Sequence, residues 1–323
     1  MHRFSIIVPM LGDRRLFDDT LASVLRYRPR SSQVIVAHDG TYDDPYRLDE
    51  EVDFVSISNR ANLVPLFYCA VGESTGTYVA LIRPGIQLDE GWDEHIESTF
   101  EETSAGSVSP VIVTPAKPQT IVAAGVSAGL GLTRKTVASK TRIAPRTTGR
   151  IAPLGPTSWA AFYRRSALEQ VGPGAINLDP HYLDLDLAMS LDSIGYSSAF
   201  CPECVVEVER STLIERELTI PHGRSAQRAF RRHATLPGSG SSVLRSVSTF
   251  ASELLLSTVL PWKFQHAIGR LGAWKMAKTD RHFSQHLSQL AAEIRQREEL
   301  GLGIHRADKS CNSHYRETSR RAA

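Results

Sequence analysis

Acidic residues are absent from one long stretch of this chain. Between Thr103 and Leu168 there is no Asp or Glu, while nine cations fall there: Lys117, Arg134, Lys135, Lys140, Arg142, Arg146, Arg150, Arg164 and Arg165. Such a stretch reads either as a solvated basic loop or as a seat for an anionic ligand, and charge alone does not separate the two. Cysteine is scarce as well, with 4 in 323 residues, too few for a disulfide framework in a chain of this size. The expected setting is therefore reducing and cytoplasmic. Cys201 and Cys204 form a lone C-x-x-C; with no second such pair and no spaced His pair, the zinc and redox readings yield to ordinary packing at a strand end. No basic segment followed by an apolar run precedes "FSIIVPM", so no signal peptide is expected. Apolar runs of spanning length are missing too. The nearest approach, Phe250 to Phe264, carries Glu253 and is interrupted by Pro261. Finally, no G-x-x-x-x-G-K-[ST] is present, which excludes a P-loop, and no G-x-G-x-x-G follows the first apolar run, which leaves a dinucleotide fold unsupported.

What is present is ordered. The first hundred residues alternate strand and helix patterns as a parallel sheet with crossover helices requires. "FSIIVP" is a buried strand and "LFDDTLASVLRYR" an amphipathic helix. "QVIVAHDG" and "DFVSIS" are further strands, and "NLVPLFYCAVGEST" is a helix stopped by "TGT" before the strand Tyr78 to Ile82. "GWDEHIESTFEE" is helical. Residues 103 to 157 read as long loop around the β-like runs "SPVIVTP" and "TIVAAGVSAGLG". Strand and helix resume at "SWAAFYRRSALEQVG", "HYLDLDLAMSLDSIGY" continues as helix, and "SSAFCPECVVEVE" as strand. In this plan four strand ends share one edge, bringing together Pro9 to Asp13, His38 to Gly40, Asn59 to Ala61 and Arg83 to Gly85.

Charge divides the chain. Residues 1–209 hold 18 Lys/Arg against 26 Asp/Glu, net −8, and residues 210–323 hold 19 against 9, net +10. The C-terminal part contains the helix "SAQRAFRRH", the linker "TLPGSGSS" and the amphipathic run "VLRSVSTFASELLLSTVLPWKFQHAIGRLGAWKMA". That run reads either as helices packed on their own domain or as an interfacial helix on an anionic membrane, anchored by Trp262, Lys263, Phe264, Arg270, Trp274, Lys275 and Lys278. The chain from Gly301 is polar and is expected to be disordered.

The ordered set "FSIIVPM…FDDTLASVL…QVIVAHDGTYDD…SNRANLV…GTYVALIRPGIQLDEGWDE" resembles the nucleotide-binding half of the family-2 glycosyltransferases, and "SWAAFYRRSALEQVG…LDLDLAMSLDSIGYSSAFCPECVV" resembles their acceptor half. The resemblance spans roughly residues 4 to 208. It implies an α/β, Rossmann-like GT-A fold whose mixed, mostly parallel sheet is flanked by helices. Residues 1–215 would form that domain (1–100 for nucleotide, 101–215 for acceptor), with a basic helical extension over 216–300 and a tail over 301–323. It also implies transfer of a sugar from a UDP- or GDP-sugar to a hydroxyl of a glycan or other acceptor, as in polysaccharide synthesis. Carried across by position, Pro9, Asp13, Asp39, Gly40, Asn59, Arg60 and Arg83 fall at the nucleotide site, and Asp184 and Asp186 at the catalytic one.

The sequence departs from that pattern in three places. Arg83 stands where an acid of the metal-binding D-x-D is expected, Leu183 where the glutamate of E-D-x-D-L is expected, and Glu207 and Glu209 near the place of a late histidine. The usual divalent ion thus loses its carboxylates; no metal ligand is assigned, and Arg83 is positioned to oppose a diphosphate directly, assisted by Arg142, Arg146 or Arg150. A general base is worth about 10² to 10⁴ in rate, and Asp184 is the candidate. Each assignment has a plainer counterpart: Asp184 and Asp186 as helix-start residues, Arg83 as a loop residue paired with Asp89 or Glu90. A catalytically inactive member that binds nucleotide, glycan or a partner protein is therefore the alternative. No nucleic-acid partner is expected, and peripheral contact of the basic helices with the inner face of a membrane, or with another protein, remains open.

Overall fold

The computed structural model describes residues 2–57, 62–129, 132–144, 148–174, 178–213, 219–233, 262–273 and 278–299. Its centre is an eight-stranded sheet in the order β3-β2-β1-β4-β11-β6-β12-β5. Strands β1 (Phe4–Pro9), β2 (Ser32–His38), β3 (Asp53–Ser56) and β4 (Tyr78–Ile82) run parallel, with Ile6 registered against both Val34 and Ala80. β11 (Ala160–Arg164) is antiparallel between β4 and β6 (Ser107–Val113); β12 (Ser198–Val208) is parallel to β6 and antiparallel to the edge strand β5 (Ile86–Gln87). The mixed, mostly parallel sheet flanked by helices that was expected from the sequence is the one observed.

Both faces of the sheet are covered, which is why its strands read as continuous apolar runs rather than alternating ones. Ile6 and Val8 face α1 (Arg14–Tyr27) and α3 (Trp92–Glu102) in a core with Phe17, Leu21, Val24, Trp92, Ile96 and Phe100. Ile7 and Ile35 face the other way, toward α2 (Leu63–Glu73), α4 (Arg165–Val171) and α5 (Leu183–Ser193). Helix ends follow local chemistry. Asp13 caps α1 by accepting the Arg15 N–H at 2.8 Å, and Asn62 caps α2 by accepting that of Val64 at 3.0 Å. At Gly76 the backbone passes so close to β1 that a Cβ would fall 2.5 Å from the Ser5 nitrogen, so only glycine permits this entry into β4.

The segment read as long loop contains two small ribbons, β7 (Thr120–Ile121) with β10 (Thr141–Arg142) and β8 (Val126–Ala128) with β9 (Arg134–Thr136). Strands of two or three residues are too short to leave a period in the sequence. Beyond β12 come α6 (Ile220–His233), α7 (Trp262–Gly272) and α8 (Lys278–Glu299). Leu287 of α8 is fully buried in the same core as Leu183, Leu187 and Leu191 of α5. The expected tail, 301–323, lies outside the described residues, as do 243–261 and 274–277 of the long amphipathic run, the expected anchors Trp274 and Lys275 among them. No described helix is long and apolar enough to cross a membrane.

Candidate active site at the carboxyl edge of the sheet

The parallel strands deliver their carboxyl ends to one edge, and β1 and β2 supply the first two loops. Pro9 is buried at the end of β1, and the ladder extends one residue further through Met10 N–H to the Ala37 carbonyl at 2.8 Å. Asp13, expected at the nucleotide, is exposed and occupied as the α1 cap.

At the end of β2, His38 is 8% exposed, and its Nδ1 accepts the Gly40 N–H at 3.2 Å. Burial lowers its pKa against an opposing pull from Asp39, which keeps the ring neutral at pH 7. Its ring meets Tyr42 and Phe54 edge-on, and these two stack at 5.5 Å. His38 is thus a support for the loop. Asp39 itself closes a turn by accepting the Thr41 hydroxyl at 2.6 Å and the Thr41 N–H at 3.2 Å. The hydroxyl bond is the largest of the causes that hold its carboxyl below the usual range, so Asp39 presents an ionised group at the edge. Gly40, at φ +88°, makes the turn possible. Tyr42 was not anticipated as part of this assembly. It is buried beneath the Arg14 guanidinium, 5.3 Å from the ring centroid, and burial followed by Asp44 and Asp18 pushes its hydroxyl up to about 12.

β4 runs into Arg83, whose N–H donates to the Trp159 carbonyl at 2.9 Å, leaving the side chain partly exposed. Gly85, at φ +91°, donates to Thr20 Oγ1 at 2.9 Å and accepts the Glu209 N–H at 2.8 Å. The Arg83–Gly85 turn is therefore fixed between α1 and the chain leaving β12. Glu209 reaches back to Arg15 at 3.0 Å on the surface.

Asp184 lies beside this turn, since its Oδ2 accepts the N–H of Ser158, next to the Trp159 that pairs with Arg83. Its surroundings are those of an engaged group. Arg134 of β9 grips it bidentately, Nε at 2.9 and 3.1 Å and Nη2 at 2.8 Å, and the Leu185 N–H adds a bond at 2.8 Å. The two side chains are 3% and 0% exposed. Asp186 points away from this pair into a second buried cluster, with Arg232 Nη2 at 3.1 Å and His233 Nε2 at 2.9 Å. Burial pushes its carboxyl pKa up, yet the Arg232 charge and the His233 hydrogen bond outweigh that and hold it below the usual range. In this arrangement neither carboxylate offers an open oxygen to a substrate.

Asn59, Arg60 and Arg146 lie outside the described residues. Arg142 is exposed and bonds Gln119 at 3.1 Å. Arg134, Arg232 and His233 are the partners that the sequence did not assign; the one signal for the first was a run of nine cations with no local acid to pair with. Cys201 and Cys204 are buried in β12 with their thiols pushed up by burial. Among the described residues no group of three or more His, Cys, Asp or Glu could hold a metal ion. At the end of β4, Arg83, Pro84 and Gly85 supply no side-chain oxygen, so a divalent cation does not fit that turn.

No family model matches the chain, and no curated protein matches it. Solved structures do. One is the mannosyltransferase PcManGT from Pyrobaculum calidifontis in complex with GDP-Man and Mn2+, 15% identical, with 91% of this chain and 86% of that one covered at a TM-score of 0.52. Another is GalNAc-T7 with UDP, GalNAc and Mn2+, 12% identical at a TM-score of 0.59. The match covers 91% of this chain and 57% of GalNAc-T7, little over half its length. The fold is that of the GT-A glycosyltransferases. The first of these neighbours was solved with GDP-Man and Mn2+, the second with UDP, GalNAc and Mn2+.

Proposed function

We propose that this protein is a nucleotide-sugar-dependent glycosyltransferase acting on a hydroxyl of a glycan acceptor, with arginine in the place of the metal. The observation that carries this reading is the make-up of one sheet edge: an ionised Asp39 at β2, a fixed Arg83 turn at β4 and the Arg134–Asp184 pair beside it. Asp39 is suited to accept hydrogen bonds from the nucleoside of a UDP- or GDP-sugar. Arg83 is suited to oppose the diphosphate, because a guanidinium binds phosphate oxygens through paired N–H donors. In transfer with inversion, the acceptor oxygen bonds to the anomeric carbon, the bond to the diphosphate oxygen breaks, and the hydroxyl proton passes to a base. Asp184 serves as that base only when Arg134 exchanges it for the donor phosphates, a trade of one oxyanion for another. Asp186 belongs to the support of α5.

A second reading, a module that binds nucleotide or glycan without transfer, draws on the closed state of Asp184 and Asp186. One experiment addresses both. UDP, GDP and their sugars are titrated into the protein by calorimetry, with Mn2+ and with EDTA, and free nucleoside diphosphate is then followed in the presence of glycan acceptors. Binding that EDTA leaves intact and that Arg83→Ala weakens by about ten- to a hundredfold is expected. Binding without nucleotide release favours the second reading, and no binding by any of these ligands refutes both.

A further inference from the structure

We propose that the outward face of α7 is a docking surface for an anionic lipid membrane. Five large hydrophobic side chains are exposed among the described residues, and three of them, Phe264 at 52%, Ile268 at 40% and Leu271 at 50%, share α7. Their spacing of four and three residues places them in one stripe along the helix. The opposite face is committed. His266, Ala267 and Arg270 are buried, and α7 crosses α6 at two glycines in backbone contact: a Cβ on Gly223 would lie 2.0 Å from the His266 carbonyl oxygen, and one on Gly269 2.1 Å from that of Ile220. A crossing this close fixes the rotation of α7 about its axis, so the stripe has no means of turning inward.

Charge identifies the occupant. From Leu254 to Thr279 the chain has no acidic residue, while Lys263, Arg270, Lys275 and Lys278 fall within it. Arg270 is not available to a partner, being 1% exposed and directed at Gln227 Oε1 at 3.5 Å, which corrects its expected role as an anchor. Exposed Arg224 of α6 stands at the end of the stripe, its Nε 3.5 Å from where a Cβ on Gly272 would lie, and Lys278 and Arg281 at the start of α8 are exposed as well. An apolar stripe with exposed cations beside it, in a segment whose next acid, Asp280, is buried against Arg228, is the pattern of a helix lying in the interface of an anionic bilayer. A second copy of this chain would bring the same positive charge to the contact, which disfavours a dimer through this face.

The full chain is tested by co-sedimentation with vesicles of phosphatidylcholine alone and of phosphatidylcholine with phosphatidylglycerol. Binding to the anionic vesicles is expected to exceed that to the neutral ones by about tenfold or more and to fall as salt is raised. The pair Phe264→Glu and Leu271→Glu is expected to reduce it by about tenfold or more, and Gln265→Glu by much less. Circular dichroism and a thermal melt show that the variants are folded; both stripe positions are exposed, so the melt is expected to stay in place. Equal binding to the two vesicle types, no binding, or unchanged binding by the stripe variants overturns the proposal. So does a dimer seen by light scattering that the stripe variants dissolve. The readout is independent of sugar transfer, so it stands or falls separately from the enzymatic reading.

Discussion

Replacing Arg134 by methionine separates the two roles open to Asp184. In the structure the guanidinium supplies three of the contacts to that carboxylate at 2.8 to 3.1 Å, and both side chains are withdrawn from solvent. Methionine keeps much of the volume and removes the charge, leaving Asp184 with the Ser158 and Leu185 N–H groups as donors. Breaking a buried pair from one side costs about 3–5 kcal/mol, because the remaining charge stays desolvated without compensation. The double variant Arg134→Met/Asp184→Leu removes both charges and so loses less than the two single variants add up to, while the Ser158 and Leu185 N–H groups left without this acceptor cost about 1–3 kcal/mol each. Urea unfolding of the four proteins at pH 7 gives the values, provided the slope with denaturant stays constant across the set. A coupling energy above about 2 kcal/mol from the double-mutant cycle is the expected outcome. If Arg134→Met costs less than about 1 kcal/mol, in the range of an exposed pair, the buried clamp is refuted and Asp184 is in contact with water.

Two further perturbations test the framework around the site. The carboxyl of Asp186 has a folded pKa below its unfolded one, so the unfolded chain binds more protons in acid. Its contribution is therefore complete above the unfolded value of about 3.9 and is lost as pH falls through the folded value. Thermal midpoints measured down the acid range should fall less steeply in Asp186→Asn than in the parent, although the variant starts lower at pH 7; parallel curves would contradict the assignment. At the α6–α7 crossing, Gly269→Val places side-chain atoms against the Ile220 carbonyl and is expected to cost about 1–3 kcal/mol. Limited proteolysis of this variant should cut first in the C-terminal helices, and a digestion pattern like that of the parent would count against the close crossing.

The sequence carried the sheet better than it carried the site. β4 was readable to the residue, Tyr78 to Ile82, because a fully buried strand is an unbroken apolar run bounded by Gly76 and by Pro84 with Gly85. The small ribbons were hidden for the opposite reason. Strands of two or three residues such as Arg134–Thr136 have no pattern of their own. At the site, a D-x-D at a helix start suggests exposed carboxylates, and what overturns that is pairing across long separations: Arg134 stands 50 residues before Asp184, and His233 47 after Asp186. No periodicity encodes such distances. Arg270 misleads in a related way. On an amphipathic basic helix it reads as a surface anchor, yet Gly269 brings the α7 backbone so close to α6 that the arginine is enclosed.

The two clusters on α5 give the C-terminal extension a standing that its composition hides. Asp184 is neutralised from the middle of the chain and Asp186 from the end of α6, so one turn of one helix depends on cations supplied by two remote segments. A fragment that stops before α6 would keep every described strand and still enclose a carboxylate whose counter-ion, Arg232, was removed with the truncation. The helices beyond β12 thus complete the charge balance of the interior they cover, and substitutions there act on the sheet domain as directly as those within it.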